Sequence, residues 1–210
     1  MKIPNLPTYL VLAFLAAISV QTPGLAAQEL DIEGAYWRSF EYERTQDYGN
    51  AIRALAPVHE AYPNGYTVNL RMGWLFYLNG NFANANAHYE VAMTAAPFAL
   101  EPRLGAMLPL MAQERWSDVE SLGYQVVSID HYNYYGNLRL AIGLRAQGKL
   151  DAASQIAIKM ATAYPTDVSF LTELAFVRVA QGDDEEATRL FGEILILDPE
   201  NQQARSYLGR

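Results

Sequence analysis

The residues equipped for chemistry are few and scattered. His59, His88 and His131 are the only histidines. They stand far apart, none has a second histidine four residues on, and no HExxH pattern occurs, so the helical zinc-ligand spacing is missing. His59-Glu60 is an isolated pair. The densest run of carboxylates, Asp183-Asp184-Glu185-Glu186, follows Gly182. Such a run is a candidate for cation binding or acid–base work, yet no EF-hand spacing surrounds it. Acids at a helix start face the positive end of its dipole, and the run reads as one. The absence of cysteine excludes disulfides, thiolate zinc sites, thiol catalysis and a lipid-anchored cysteine. No Walker loop, GxSxG elbow or GxGxxG turn is present. The sequence implies no catalytic residue, no metal and no cofactor; it does not read as an enzyme.

Composition narrows the partners. With 210 residues, 51% hydrophobic and 18% charged, the chain can build one or two packed domains. A net charge of −8 argues against nucleic acid, whose phosphates need a basic face, and against an anionic membrane surface.

The first 27 residues read as a targeting segment. Lys2 precedes an apolar run from Tyr9 to Val20, and Thr22, Pro23 and Gly24 then break any helix. A helix of that run reaches roughly 18 Å, against a hydrocarbon core of about 30 Å. It is too short to span. Gly24, Ala26 and Ala27 suit a signal peptidase, with cleavage after Ala26 or Ala27. The expectation is a signal peptide over 1–27, a short leader over 28–31, and a periplasmic or secreted product without a transmembrane segment. No twin-arginine pair and no Asn-x-Ser/Thr acceptor occurs, which points to the ordinary secretory route and a bacterial periplasm.

The rest of the chain keeps a 34-residue period. Pro63, Pro97, Pro165 and Pro199 stand on one ladder whose skipped rung is His131. Ala51, Ala85, Val119, Ala153 and Ala187 form a second. Tyr48, Phe82, Trp116 and Leu150 form a bulky third, which Asp184 breaks, and Ser39, Gly73, Met107, Ala141, Ala175 and Gly209 form a mostly small fourth. Each period holds two stretches with helical apolar spacing, separated by a turn signal such as Asn79-Gly80, Gly148 or Gly182-Asp183. One helix pair cannot bury its apolar face alone, so neighbouring pairs must stack. Small residues let the paired helices approach, while Phe82, Trp116 and Leu150 are expected to wedge between neighbouring units.

These ladders resemble the tetratricopeptide repeat (TPR) family, whose unit is two antiparallel helices in 34 residues. Residues 66–99 carry Met72-Gly73-x2-Phe76, Ala85-x3-Tyr89 and Pro97; residues 168–201 carry Leu174-Ala175, Ala187-x3-Phe191 and Pro199. Residues 134–167 carry Leu140-Ala141-x2-Leu144, Ala153-x3-Ala157 and Pro165. The resemblance implies an all-α fold, an α-α superhelix of five units over 32–201: 32–65, 66–99, 100–133, 134–167 and 168–201. Unit 100–133 is degenerate, with Met107 and Val119 on the small ladders, Gly123, His131 for Pro, and Pro109 inside its first helix. Pro109 and Pro57 are each expected to kink a helix. Residues 202–210 begin a sixth unit and stop, a stub expected to cover part of Phe191 and Ile194.

In the TPR family the first helix of each unit lines a concave groove. The resemblance therefore implies a binding face built from Tyr36, Phe40, Leu70, Trp74, Tyr77, Leu108, Leu138, Ile142, Arg145 and Phe176, with Tyr135 from the cluster His131-Tyr132-Asn133-Tyr134-Tyr135 at its edge. The clamp of Lys, Asn and Arg that family members use on terminal carboxylates is missing, with only Arg71, Arg139 and Arg145 nearby. A mostly apolar groove suits an amphipathic helix or extended peptide. The function this implies is a protein-interaction scaffold of the cell envelope. The alternative is a component of an exopolysaccharide export system, with Trp37, Trp74, Tyr77 and Tyr135 stacking on sugar rings.

Overall fold

A computed structural model describes residues 30–210; the proposed signal peptide and the first half of the leader lie outside the described residues. Residues Asp31–Arg210 form one compact unit. It consists of helices α1 (Ile32–Arg44), α2 (Tyr48–Ala61), α3 (Tyr66–Leu78), α4 (Phe82–Ala95), α5 (Glu101–Ala112), α6 (Trp116–Ile129), α7 (Tyr134–Ala146), α8 (Leu150–Ala163), α9 (Val168–Gln181), α10 (Asp184–Leu197) and α11 (Gln202–Leu208). No strand occurs among the described residues. Each helix packs on the next in chain order, so the architecture is a stack of helix pairs.

Local chemistry sets the helix starts. Asp31, Asp47, Asn81, Asn133, Asp167, Asp183 and Asn201 each accept a hydrogen bond from the backbone N–H three residues on. Each thereby satisfies one of the donors that a helix N-terminus leaves free. Asp183 is such a cap, and Asp184, Glu185 and Glu186 fill the first turn of α10. Between the two helices of every unit one residue adopts a positive φ: Gln46, Gly80, Glu114, Gly148 and Gly182. These positions are spaced by the repeat length. Glycine occupies three of them without strain, whereas Gln46 and Glu114 carry a Cβ there.

Burial follows the ladders. Ala51, Ala85, Val119, Ala153 and Ala187 are all fully buried, as are Ser39, Met107, Ala141 and Ala175. Glycines make room on both sides of the junction between the degenerate unit and the next, Gly143 for Val119 and Gly123 for Leu140. A Cβ added at Gly143 would lie 3.0 Å from Val119 Cγ1, and one at Gly123 would lie 2.8 Å from Leu140 Cβ. Tyr89 wedges between units two and three, because a Cβ at Gly73 or at Gly105 would come within 2.9 or 2.4 Å of its ring. The Phe82 ring lies 6.1 Å from that of Tyr77 in its own unit. Trp116 packs with Met107, Leu110 and Val119, and its carbonyl accepts from Gln147 of the next unit at 3.2 Å.

Helices α2 and α5 run on through Pro57 and Pro109. At the carboxyl end, α11 lays Ala204, Tyr207 and Leu208 on the last core cluster, with Tyr207 4.5 Å from Phe191. Phe191 and Ile194 are fully buried beneath it.

A side-chain staple fastens the turns between units. Asn69 donates to the carbonyls of Pro63 and Gly65, Arg103 to those of Pro97 and Ala99, and Asn137 to those of His131 and Asn133. In all three the acceptors lie six and four residues back. The carbonyl six back belongs to the proline ladder and its His131 rung.

Candidate functional site

The first helices form one continuous face. Helix α3 touches α5, α5 touches α7 and α7 touches α9, while no comparable contact joins successive second helices α4, α6, α8 and α10. Helices that close up on one side of a stack and spread on the other bend it toward the closed side. The face of α3, α5, α7 and α9 is therefore the inner one, and α1 joins it through the Glu43–Arg71 ion pair.

Every residue of the sequence-derived stripe lies on a first helix, and none is buried. Phe40 and Tyr135 are 52% and 56% exposed. Tyr36, Leu70, Trp74, Tyr77, Leu108, Leu138, Ile142, Arg145 and Phe176 are half-buried. Several also serve the fold: Trp74 and Tyr36 pack on the first core cluster, Leu70 and Tyr77 on the cluster around Tyr89, and Phe176 edge-on against Phe191. Burial raises the Tyr36 phenol above its ordinary pKa. The tyrosine cluster divides. Tyr132 and Tyr135 stay exposed, whereas Tyr134 turns inward, its ring 5.1 Å from Phe170 and its hydroxyl donating to Asp167 at 3.0 Å.

The face is less apolar than the stripe suggests, because arginines cross it. Arg71 pairs with Glu43, donates to Ser39 Oγ at 3.2 Å, and lies 3.8 Å over the Phe40 ring. Glu43 also accepts from Trp74 Nε1 at 2.6 Å. Further along, Arg145 Nε donates to Glu173 Oε1 at 2.6 Å and Nη2 to Oε2 at 3.2 Å, a bidentate pair beside the Phe176 ring. Between them Arg139 donates Nη1 to the Leu104 carbonyl at 2.5 Å and lies 5.2 Å from the Tyr135 ring. Burial lowers its pKa, and neighbouring Tyr135, Tyr77 and Tyr89 partly oppose that. The helical stripe missed Ser39, Arg139 and Glu173 because they stand one helical position aside. The signal that finds the two clasps is a 28-residue spacing of opposite charges, Glu43 to Arg71 and Arg145 to Glu173.

The histidines lie elsewhere. His88 Nδ1 is 2.8 Å from Asn69 Oδ1 and its ring stacks on Phe76, with His59 edge-on at 5.1 Å. Asn69 spends its NH2 group on two carbonyls, so its oxygen accepts and His88 Nδ1 carries the proton. Burial, then the neighbouring His59, lowers the His88 pKa to about 4. No group of three or more His, Cys, Asp or Glu side chains able to hold a metal occurs among the described residues. No helix among them is long and apolar enough to cross a membrane.

Antiparallel helix pairs at a 34-residue step, small residues at their crossings and first helices turned inward define the tetratricopeptide-repeat solenoid. Solved structures share that fold. The crystal structure of MamA protein superposes with a TM-score of 0.72 at 15% identity, covering 80% of this chain and 92% of that one. MamA residues 41-end from Desulfovibrio magneticus RS-1 gives 0.75 at 15% identity, covering 81% and 97%. YrrB, a TPR protein with an unusual peptide-binding site, gives 0.72 at 12% identity, covering 86% and 93%. No protein-family model matches the sequence, and no curated protein matches it.

Proposed function

We propose that the protein is a non-enzymatic adaptor of the cell envelope, whose first-helix face holds a peptide or helical segment of a partner protein. The observation that carries this reading is the continuity of that face. Eleven residues drawn from all five units, most of them apolar or aromatic, remain at least partly open along one side of the stack. A contiguous surface of this kind is characteristic of helix-in-groove and extended-peptide recognition. The peptide-binding site of YrrB, on the same fold, supports the reading by analogy. The envelope location rests on the residues before position 28.

The test is a pull-down from a periplasmic extract with wild-type protein and a Phe40→Ala/Tyr135→Ala variant, with captured material identified by mass spectrometry. These two side chains are the more exposed members of the face, so the variant keeps the core. Proteins held by wild type and lost by the variant are expected, together with an intact mass that begins near Gln28. Capture unaffected by the variant would remove the face from the function. Polysaccharide alone co-purifying would move the assignment to glycan handling, and an uncleaved cytosolic chain would remove the envelope.

A further inference from the structure

The inner face contains an arginine, Arg139, that pairs with no carboxylate among the described residues. Counting within each unit, the twelfth residue of one and the sixth residue of the next hold corresponding positions at every junction of first helices. At the first junction these are Glu43 and Arg71, and at the fourth Arg145 and Glu173, both ion pairs. At the second they are Tyr77 and Gly105, with Tyr89 filling the space that a side chain at Gly105 would need. At the third they are Met111 and Arg139. The methionine stands where Glu43 stands in the first junction, and no carboxylate among the described residues lies within ion-pair distance of Arg139.

Arg139 is held rather than loose. Nη1 is fixed on the Leu104 carbonyl at 2.5 Å, and the ionisable groups near it are Tyr77, Tyr89 and Tyr135. Among the described residues Nε and Nη2 have no hydrogen-bond partner, and neither is sealed from solvent as Arg71 Nε is. A half-buried guanidinium with a fixed plane and two free donors is preorganised for a carboxylate, which it binds through paired charge-assisted hydrogen bonds. The apolar and aromatic side chains of Leu108, Leu138 and Tyr135 stand on the same part of the face.

We propose that Arg139 is the specificity-determining residue of the groove, and that the bound segment places an Asp or Glu side chain, flanked by apolar residues, on its free donors. This rests on the groove reading above and names the chemistry of its occupant.

A random twelve-residue peptide library displayed on phage is selected against protein produced from the full chain, and the winners are measured by fluorescence anisotropy. Selected peptides are expected to share one acidic position. Changing that acid to its amide should weaken binding to wild type by about tenfold and leave binding to Arg139→Gln unchanged. Met111→Glu supplies the missing acid from within, in the register of Glu43, and should weaken the acidic peptide by a similar factor; it also answers the question if Arg139→Gln does not fold. Peptides that bind Arg139→Gln and Met111→Glu as tightly as wild type, yet are lost with Phe40→Ala/Tyr135→Ala, would overturn the role of Arg139 and leave the groove standing. Failure of folded protein to select any peptide would overturn both.

Discussion

Arg145 and Glu173 join units four and five at the same register at which Glu43 and Arg71 join units one and two, with the charges exchanged. The geometry of the junction, not the identity of either residue, is what repeats. The Glu173 side chain is 5% exposed and that of Arg145 29%, so the two halves of the pair are not equivalent. Removing Arg145 strands a buried carboxylate, whereas removing Glu173 leaves a guanidinium that water still reaches. Arg145→Ala should therefore cost about 3 kcal/mol and Glu173→Ala clearly less, by urea unfolding. The exchanged pair Arg145→Glu/Glu173→Arg should recover most of the loss, and equal costs for the two single variants would contradict the asymmetry.

The positive-φ residue of each unit offers a stabilising change. Gln46 and Glu114 occupy with a Cβ the backbone position that Gly80, Gly148 and Gly182 fill elsewhere. Gln46→Gly and Glu114→Gly should each raise stability by up to about 1 kcal/mol, relief of strain outweighing the entropy of a freer unfolded chain. Thermal unfolding measures it. A lowered Tm for both would show that these side chains contribute more than their backbone costs.

The turn staples predict a cost that ordinary surface changes do not have. Asn69 and Asn137 are fully buried, and each satisfies two backbone carbonyls with one amide. Asn69→Ala or Asn137→Ala leaves those acceptors short and should cost about 2 kcal/mol. Hydrogen exchange should rise locally at the affected junction, between α2 and α3 or between α6 and α7. Unchanged exchange there would separate the staple from junction stability.

His88 makes acid stability a local property. Its folded pKa is about 4, against 6.5 for the free side chain. The unfolded chain thus takes up a proton at a pH where the folded chain does not. The contribution of neutral His88 is fully present above about 6.5, and falls as pH drops from there toward 4. Wild type should lose stability over that interval more steeply than His88→Gln. An NMR titration placing the imidazole midpoint near 6.5 would refute this.

Much of the fold was legible because a solenoid is nearly one-dimensional. Each unit contacts chiefly its neighbours, so a fixed sequence step becomes a fixed spatial step. Ala85, Ala153 and Ala187 are small because two helices cross there, and Asp183 caps because the chain behind it turns; each is a local requirement written in residue type. The stripe from Tyr36 to Phe176 took more than period: the repeat resemblance implied that the first helix of each pair lines the groove. Tertiary structure decided the rest. Whether Val119 fits depends on Gly143 in another unit, and Tyr134 left the exposed cluster for Asp167. Above all, the charge state of the inner face was settled between helices. Glu43 and Arg71 neutralise each other, as do Arg145 and Glu173, while Arg139 meets no carboxylate among the described residues. Period places each of these residues on a helix, but only the stacking distance of two helices determines which charges meet and which one is left without a partner.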